Sequence, residues 1–158
     1  MTVYTFPEQL EKGEAYEAIL DTFFSSQYDI EEATWEQQHM GIDRLFTSKK
    51  RGIRASIEYK TDFVAQRTGN VFIEVEDDET NPCGWASSST AQILVYFIPE
   101  MNVIFMVDML KIKLDIDLLC VKYGFKTVKN PTYNILGAPV PIDKFGEYAI
   151  SEITWRKQ

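Results

Sequence analysis

Two stretches, AQILVYFI at 91–98 and NVIFMV at 102–107, are almost unbroken apolar runs of strand length. Strands wet on one side alternate apolar and polar residues, whereas strands buried on both sides lose the alternation. These runs therefore put buried strands at the centre of the fold. VFIEVE at 71–76 is different: Val71, Ile73 and Val75 alternate with Phe72, Glu74 and Glu76, the period of a half-buried strand. Strand-like runs also cover 29–35, 42–47 and 53–59, and SKKRG at 48–52 makes a hairpin turn between the last two.

Two segments carry helical spacing. In TFPEQLEKGEAYEAILDTFF (5–24), Thr5 can cap, Pro7 suits the first turn and Glu8 completes the capping signature. Leu10, Tyr16, Ile19, Leu20 and Phe23 then form one apolar stripe. Gly13 interrupts it at a cost of about 1 kcal/mol relative to alanine, unless close packing requires the missing side chain. DMLKIKLDIDLLCVKYG (108–124) alternates like a strand at Leu110, Ile112, Leu114, Ile116 and Leu118. Met109, Ile112, Ile116, Leu119 and Tyr123 also share a helical face, Asp108 can cap and Gly124 can stop it. The pairs Lys111–Asp115 and Lys113–Asp117, four residues apart, favour the helix. DDETNPCGWASSST (77–90) reads as a loop, and no order is legible in the short strands and proline-rich turns after Phe125.

Strands clustered between helices imply an α+β fold, layered as a mixed central β-sheet flanked by helices. With 158 residues, residues 1–158 read as a single domain, and a 45% hydrophobic content excludes disorder. No apolar stretch approaches the roughly 20 residues that span a bilayer, and no signal-peptide pattern opens the chain. Cys83 and Cys120 form neither a metal motif nor a disulfide framework. The expected location is cytoplasmic, with no membrane contact. A single histidine, His39, leaves little for zinc or triad chemistry. The net charge of -8 argues against a generic nucleic-acid coat, though not against an enzyme whose acids gather around a cation.

Such a gathering is legible in GIDRLFTSKKRGIRASIEYK (41–60). Residues two apart on a strand share a face, so Glu58 and Lys60 point one way and Ile57 and Tyr59 the other. Counting inward from the turn sets Ser48 opposite Ile53, and hence Asp43 opposite Glu58. Neighbouring carboxylates raise each other's pKa unless a cation neutralises them. Lys60 is one such cation; a hard divalent ion, which takes carboxylate, water and phosphate oxygens, is another. Spacing alone leaves open a wet charged face, a salt bridge or a metal-dependent phosphodiesterase.

GID followed by EYK, fifteen residues beyond Asp43, resembles the D…(D/E)xK signature of the PD-(D/E)XK nuclease superfamily, with Ile42 in place of the signature's proline. KGEAYE resembles the first helix of Holliday-junction-resolvase-like members, in which a glycine precedes a metal-site glutamate by four residues; here these are Gly13 and Glu17. The resemblance spans about residues 11 to 110. It implies a restriction-endonuclease-like fold and a magnesium- or manganese-dependent endonuclease acting on DNA. Asp43 and Glu58 would ligate Mg2+ or Mn2+ with the Tyr59 carbonyl, and Lys60 would orient water or stabilise the transition state. Glu17 would hold a metal-bound water or a second ion, with Glu14 its neighbouring candidate. Cutting two strands implies a homodimer.

For nucleic-acid contact the candidates are Lys49, Lys50, Arg51 and Arg54 at the hairpin tip, and Gln66, Arg67 and Asn70 after β-strand residue Lys60. Trp85 can stack on a base or anchor its loop to the core. Trp35 is expected in the core, His39 in a surface turn, and Glu74 either in the cleft or in water. The alternative to an enzyme is a catalytically inactive nuclease-fold protein, or an acidic DNA mimic that binds a protein partner, for which the acidic stretch 74–79 speaks.

Overall fold

A computed structural model describes residues 6–77, 84–129 and 134–157. The fold is α+β. A mixed six-stranded sheet holds β1 (Tyr28–Glu32), β2 (Arg44–Ser48), β3 (Arg54–Thr61), β5 (Ile93–Ile98), β6 (Val103–Asp108) and β9 (Ala149–Thr154), side by side in that order. β3 and β5 run parallel and every other neighbouring pair is antiparallel. The crossover from β3 to β5 contains α3 (Ala65–Thr68), β4 (Asn70–Asp77) and α4 (Trp85–Ser88). β4 belongs to a second sheet of three strands with β8 (Asn134–Pro141) and β7 (Lys126–Lys129), in the order β4-β8-β7.

The unbroken apolar runs are β5 and β6, covered on both faces. α1 (Phe6–Phe24) lies on one face, where Leu20 and Phe24 pack with Phe46, Ile57, Tyr59, Val95, Phe97 and Ile104. The opposite face, with Leu94, Tyr96, Ile98, Phe105 and Val107, is covered by the small sheet, α4, α5 (Met109–Tyr123) and α6 (Ile142–Gly146). α5 is the expected helix. Asp108 accepts from the Leu110 N–H, Gly124 ends it, and Met109, Ile112 and Leu119 are buried. Its predicted ion pairs do not form: Asp115 accepts from the Tyr148 hydroxyl at 2.8 Å, and Lys113 donates to the Ser89 carbonyl.

Other expectations are corrected. The strand predicted over 29–35 stops at Glu32, because Thr34 and Gln37 form a capping box that starts the short helix α2 (Trp35–His39). Trp35 is consequently 69% exposed, not core, and stacks on His39 at 3.9 Å between ring centroids. Residues 85–88 of the expected loop form α4, and Trp85 is 5% exposed against Tyr96. A base cannot stack on an indole buried in this way; of the two roles considered, Trp85 anchors the core. Thr5, Cys83 and the acidic residues after Asp77 lie outside the described residues.

Candidate functional site

The β2–β3 hairpin forms in the expected register: Arg44 pairs with Ile57 and Thr47 with Arg54, which continues to Asp43 opposite Glu58. Asp43 precedes β2 and is held on every side. Its N–H donates to the Ile57 carbonyl at 2.8 Å, and its carbonyl accepts from the Ala33 N–H at 3.1 Å. Its Oδ2 accepts from the Tyr59 N–H at 2.7 Å, which brings the carboxylate against β3 between Glu58 and Lys60. Burial raises the Asp43 pKa, and the Tyr59 N–H, Lys60 and Arg44 pull against that rise.

Glu58 points to the face opposite α1, in line with Leu94 of β5, and is 7% exposed. Its Oε2 is the buried side-chain oxygen without a hydrogen-bond partner among the described residues. Burial pushes its pKa up to about 7; Lys60 and Ser89 act downward, and the charges of Asp43 and Glu74 act upward. Glu74 of β4 is therefore close enough for its charge to act on Glu58. Lys60 reaches both acids electrostatically. Ser89, 1% exposed, donates its hydroxyl to the Gly41 carbonyl at 3.0 Å and accepts from the Ala91 N–H at 3.2 Å. Gly41 is required here. Its φ is +77°, and a Cβ on it would sit 2.8 Å from Ser89.

The α1 side of β3 holds a second set of charges. Arg44 donates from Nε to Asp21 at 3.0 Å, from Nη2 to Glu17 at 3.2 Å and from Nη1 to the Asp43 carbonyl at 2.9 Å. The Tyr59 hydroxyl donates to Asp21 at 2.9 Å. Glu17 thus lies near Asp43, whose charge adds to burial in raising its pKa, but its Oε2 is given to Arg44. Glu14 is exposed. Among the described residues no three His, Cys, Asp or Glu side chains are placed as a ready-made metal cluster.

The expected nucleic-acid contacts scatter. The hairpin tip lies five residues beyond Asp43, roughly 17 Å along the strand. There Lys49 donates to the Ser25 carbonyl at 2.7 Å and Arg54 pairs with Glu31 at 2.5 Å, while Lys50 and Arg51 are exposed. Gln66 and Arg67 are exposed on α3, and the Asn70 amide donates to the Thr68 carbonyl to close a turn. His39 is exposed, with Nδ1 2.8 Å from the Trp35 carbonyl. A hollow of about 640 Å3 lies beside α1 and β1, lined in part by Asp21, Asp29, Arg44 and Lys49. It does not reach Glu58, and its two cations already pair with Asp21 and Asp29.

Sequence reasoning missed Arg44, Asp21 and Ser89. Arg44 meets Glu17 and Asp21 from 27 and 23 residues away, a distance no local pattern encodes. No protein-family model matches the chain, and neither curated proteins nor solved structures gave a match. No helix among the described residues is long and apolar enough to cross a membrane.

Proposed function

We propose that the chain is a metal-dependent endonuclease of restriction-endonuclease-like architecture, hydrolysing DNA phosphodiester bonds at Asp43, Glu58 and Lys60. The observation that carries this reading is Glu58 Oε2, a buried oxygen left without a partner beside a second carboxylate. An unmet buried acceptor is costly to keep, and a cation is the partner that would satisfy it. The donors fit Mg2+ or Mn2+, which take hard oxygen ligands. Asp43, Glu58 and the Tyr59 carbonyl would hold the ion, with Glu17 assisting through water. When bound, Mg2+ supplies charge stabilisation to the phosphoryl group and acidifies water.

The chain's own groups do the rest. Lys60, two residues from Glu58 on the same face, places an ammonium where a water or a phosphate oxygen can be oriented. The Tyr59 N–H fixes one Asp43 oxygen and leaves the other for a ligand. Arg44 ties α1 to the Asp43 carbonyl, which keeps Glu17 close.

The test is cleavage of plasmid, branched and single-stranded DNA with Mg2+, Mn2+ or chelator. Lys60→Ala and Asp43→Asn should each lower the rate by about 10^2- to 10^4-fold, the usual weight of one catalytic group. Absence of cleavage by pure wild-type protein on all three substrates, with no Mn2+ binding by electron paramagnetic resonance, would overturn the reading. The net charge of -8 favours the second reading, an inactive nuclease-fold protein or DNA mimic that binds a protein partner. Under it, Lys60→Ala leaves partner binding intact and there is no cleavage to lose.

A further inference from the structure

α5 is apolar on two opposite sides. Met109, Ile112 and Leu119 are buried, with Ile116 and Tyr123 packed beside them. On the outer side Leu110, Leu114, Leu118 and Val121 are 62, 75, 61 and 84% exposed. At 100° per residue these four fall within an arc of about 80° centred almost opposite the buried stripe. A helix with one covered face is expected to carry charge on the other, and apolar residues all round belong to a buried helix. Together the four expose roughly 500 Å2, the upper end of what monomers leave in water.

We propose that this face is a homodimer interface, with α5 packed antiparallel on α5 of a second copy about a two-fold axis near residues 115 and 116. Area, and charge along one edge, select a second copy as the occupant. Two such stripes remove roughly 1,000 Å2 from water before any rim is counted, which reaches the lower bound for a specific interface. The stripe is its own complement: Leu114 and Leu118 lie nearest the axis, and Leu110 of each copy meets Val121 of the other.

Charge fits the same arrangement along one edge. Lys113 and Asp117 border the same edge of the stripe, and in an antiparallel pair each edge meets its own copy. Asp117 of each chain therefore falls beside Lys113 of the other, twice by symmetry. Asp117 is exposed and has no ion pair among the described residues. Lys113 is held at that edge by its bond to the Ser89 carbonyl. Lys111 and Lys122 border the opposite edge, where Lys122 of each chain falls near Lys111 of the other; both are exposed at the rim, where salt screens their repulsion. The interface is separate from the acids of β2 and β3 and stands whether or not the protein cleaves DNA.

Sedimentation velocity at tens of micromolar, a range in which even a micromolar Kd gives mostly dimer, decides it. Wild type should sediment at twice the 18.3 kDa chain mass. Leu114→Glu and Val121→Glu should each weaken the dimer by about 100-fold or more, since each buries a charge at the centre or end of the stripe. Their circular dichroism should match wild type, because both side chains are exposed within one chain. Asp117→Lys should weaken it by about tenfold through like-charge contact with Lys113. A wild-type mass of one chain would overturn the proposal and leave the stripe to a different partner. A dimer that survives both glutamates would place the interface elsewhere, and one indifferent to Asp117→Lys would overturn the antiparallel arrangement.

Discussion

The two faces of β3 treat their ionisable groups in opposite ways. Toward α1, Glu17, Asp21, Arg44 and the Tyr59 hydroxyl form a closed network in which each acid has a donor. Toward the other face, Glu58 is more deeply buried, yet one of its oxygens has no donor. Alternate residues of one strand thus serve two purposes: Tyr59 helps fasten a helix, and Glu58 is held at a cost. Polar groups kept in place against their solvation are what a binding site requires and a scaffold avoids.

The largest effect is expected from opening the closed network. Arg44→Ala leaves Glu17 and Asp21 half-buried without their cation and takes one of two donors from the Asp43 carbonyl, which should cost about 3 kcal/mol in urea denaturation. If the loss is below about 1 kcal/mol, the α1 face is no better satisfied than the other, and the contrast fails.

Glu58→Gln tests the opposite face and should stabilise the metal-free protein. A carboxyl at about 7 when folded, against 4.5 as the ordinary value, favours folding fully below pH 4.5 and loses that support as pH rises through 7. The charged form therefore costs up to about 3 kcal/mol at pH 8. A glutamine amide is desolvated too, so a gain of about 2 kcal/mol at pH 8 and almost none at pH 4 is expected. Asp43 and Glu17, also raised by burial, tilt the wild-type profile the same way. Thermal melts from pH 4 to 9 check the slope. Mg2+ should raise the wild-type melting temperature more at pH 8 than at pH 6, and should do little for Glu58→Gln.

Much of this contrast was legible in the chain. The hairpin count that sets Ser48 against Ile53 gives Asp43 opposite Glu58, because a short turn fixes register locally. Side-chain alternation then separates Tyr59 from Glu58 without any long-range information. The capping box at Thr34 and Gln37 was equally local and was outweighed by the β-favouring look of residues 29–35. The closing of the α1 network was not legible, since Arg44 finds its acids through the packing of α1 on the sheet.

The C-terminal strands were hidden for a related reason. β8 contains Gly137, Pro139 and Pro141, which read as turns. β7 pairs only with 134–137, so the prolines fall where β8 has one open edge and need no donor there. Gly137 is demanded by β4: a Cβ on it would lie 2.0 Å from the Ile73 carbonyl oxygen. β4 and β8 meet across 58 to 71 residues, Asn70 pairing with Pro141 and Asp77 with Ile135. Nothing near either strand announces that contact.

A finer test of the closed face is Tyr59→Phe. It removes one donor from Asp21 and leaves the Arg44 bonds in place, so the expected cost is about 1 kcal/mol. Burial and the neighbouring Asp21 already push this phenol's pKa well up, so it stays a donor across the usable pH range. The loss should therefore be the same at pH 6 and pH 9, unlike the pH-dependent gain at Glu58.

The smallest effect concerns whether α1 is shaped for the site or merely fastened to it. Gly13 lies one turn before Glu17, the spacing that carries the resolvase-like resemblance, so its missing side chain invites a functional reason. The structure supplies no packing reason, since a Cβ at Gly13 meets nothing within 4 Å. Gly13→Ala should then act only through helix propensity and chain entropy, stabilising the fold by about 0.5–1 kcal/mol. A melting temperature raised by a few degrees with DNA cleavage unchanged would mark Gly13 as a replaceable residue and leave Glu17 tied to the site through Arg44 alone. A stabilised variant with reduced cleavage would show instead that a ligand approaches the helix backbone at this turn, which would bring α1 into the site as a surface as well as a support.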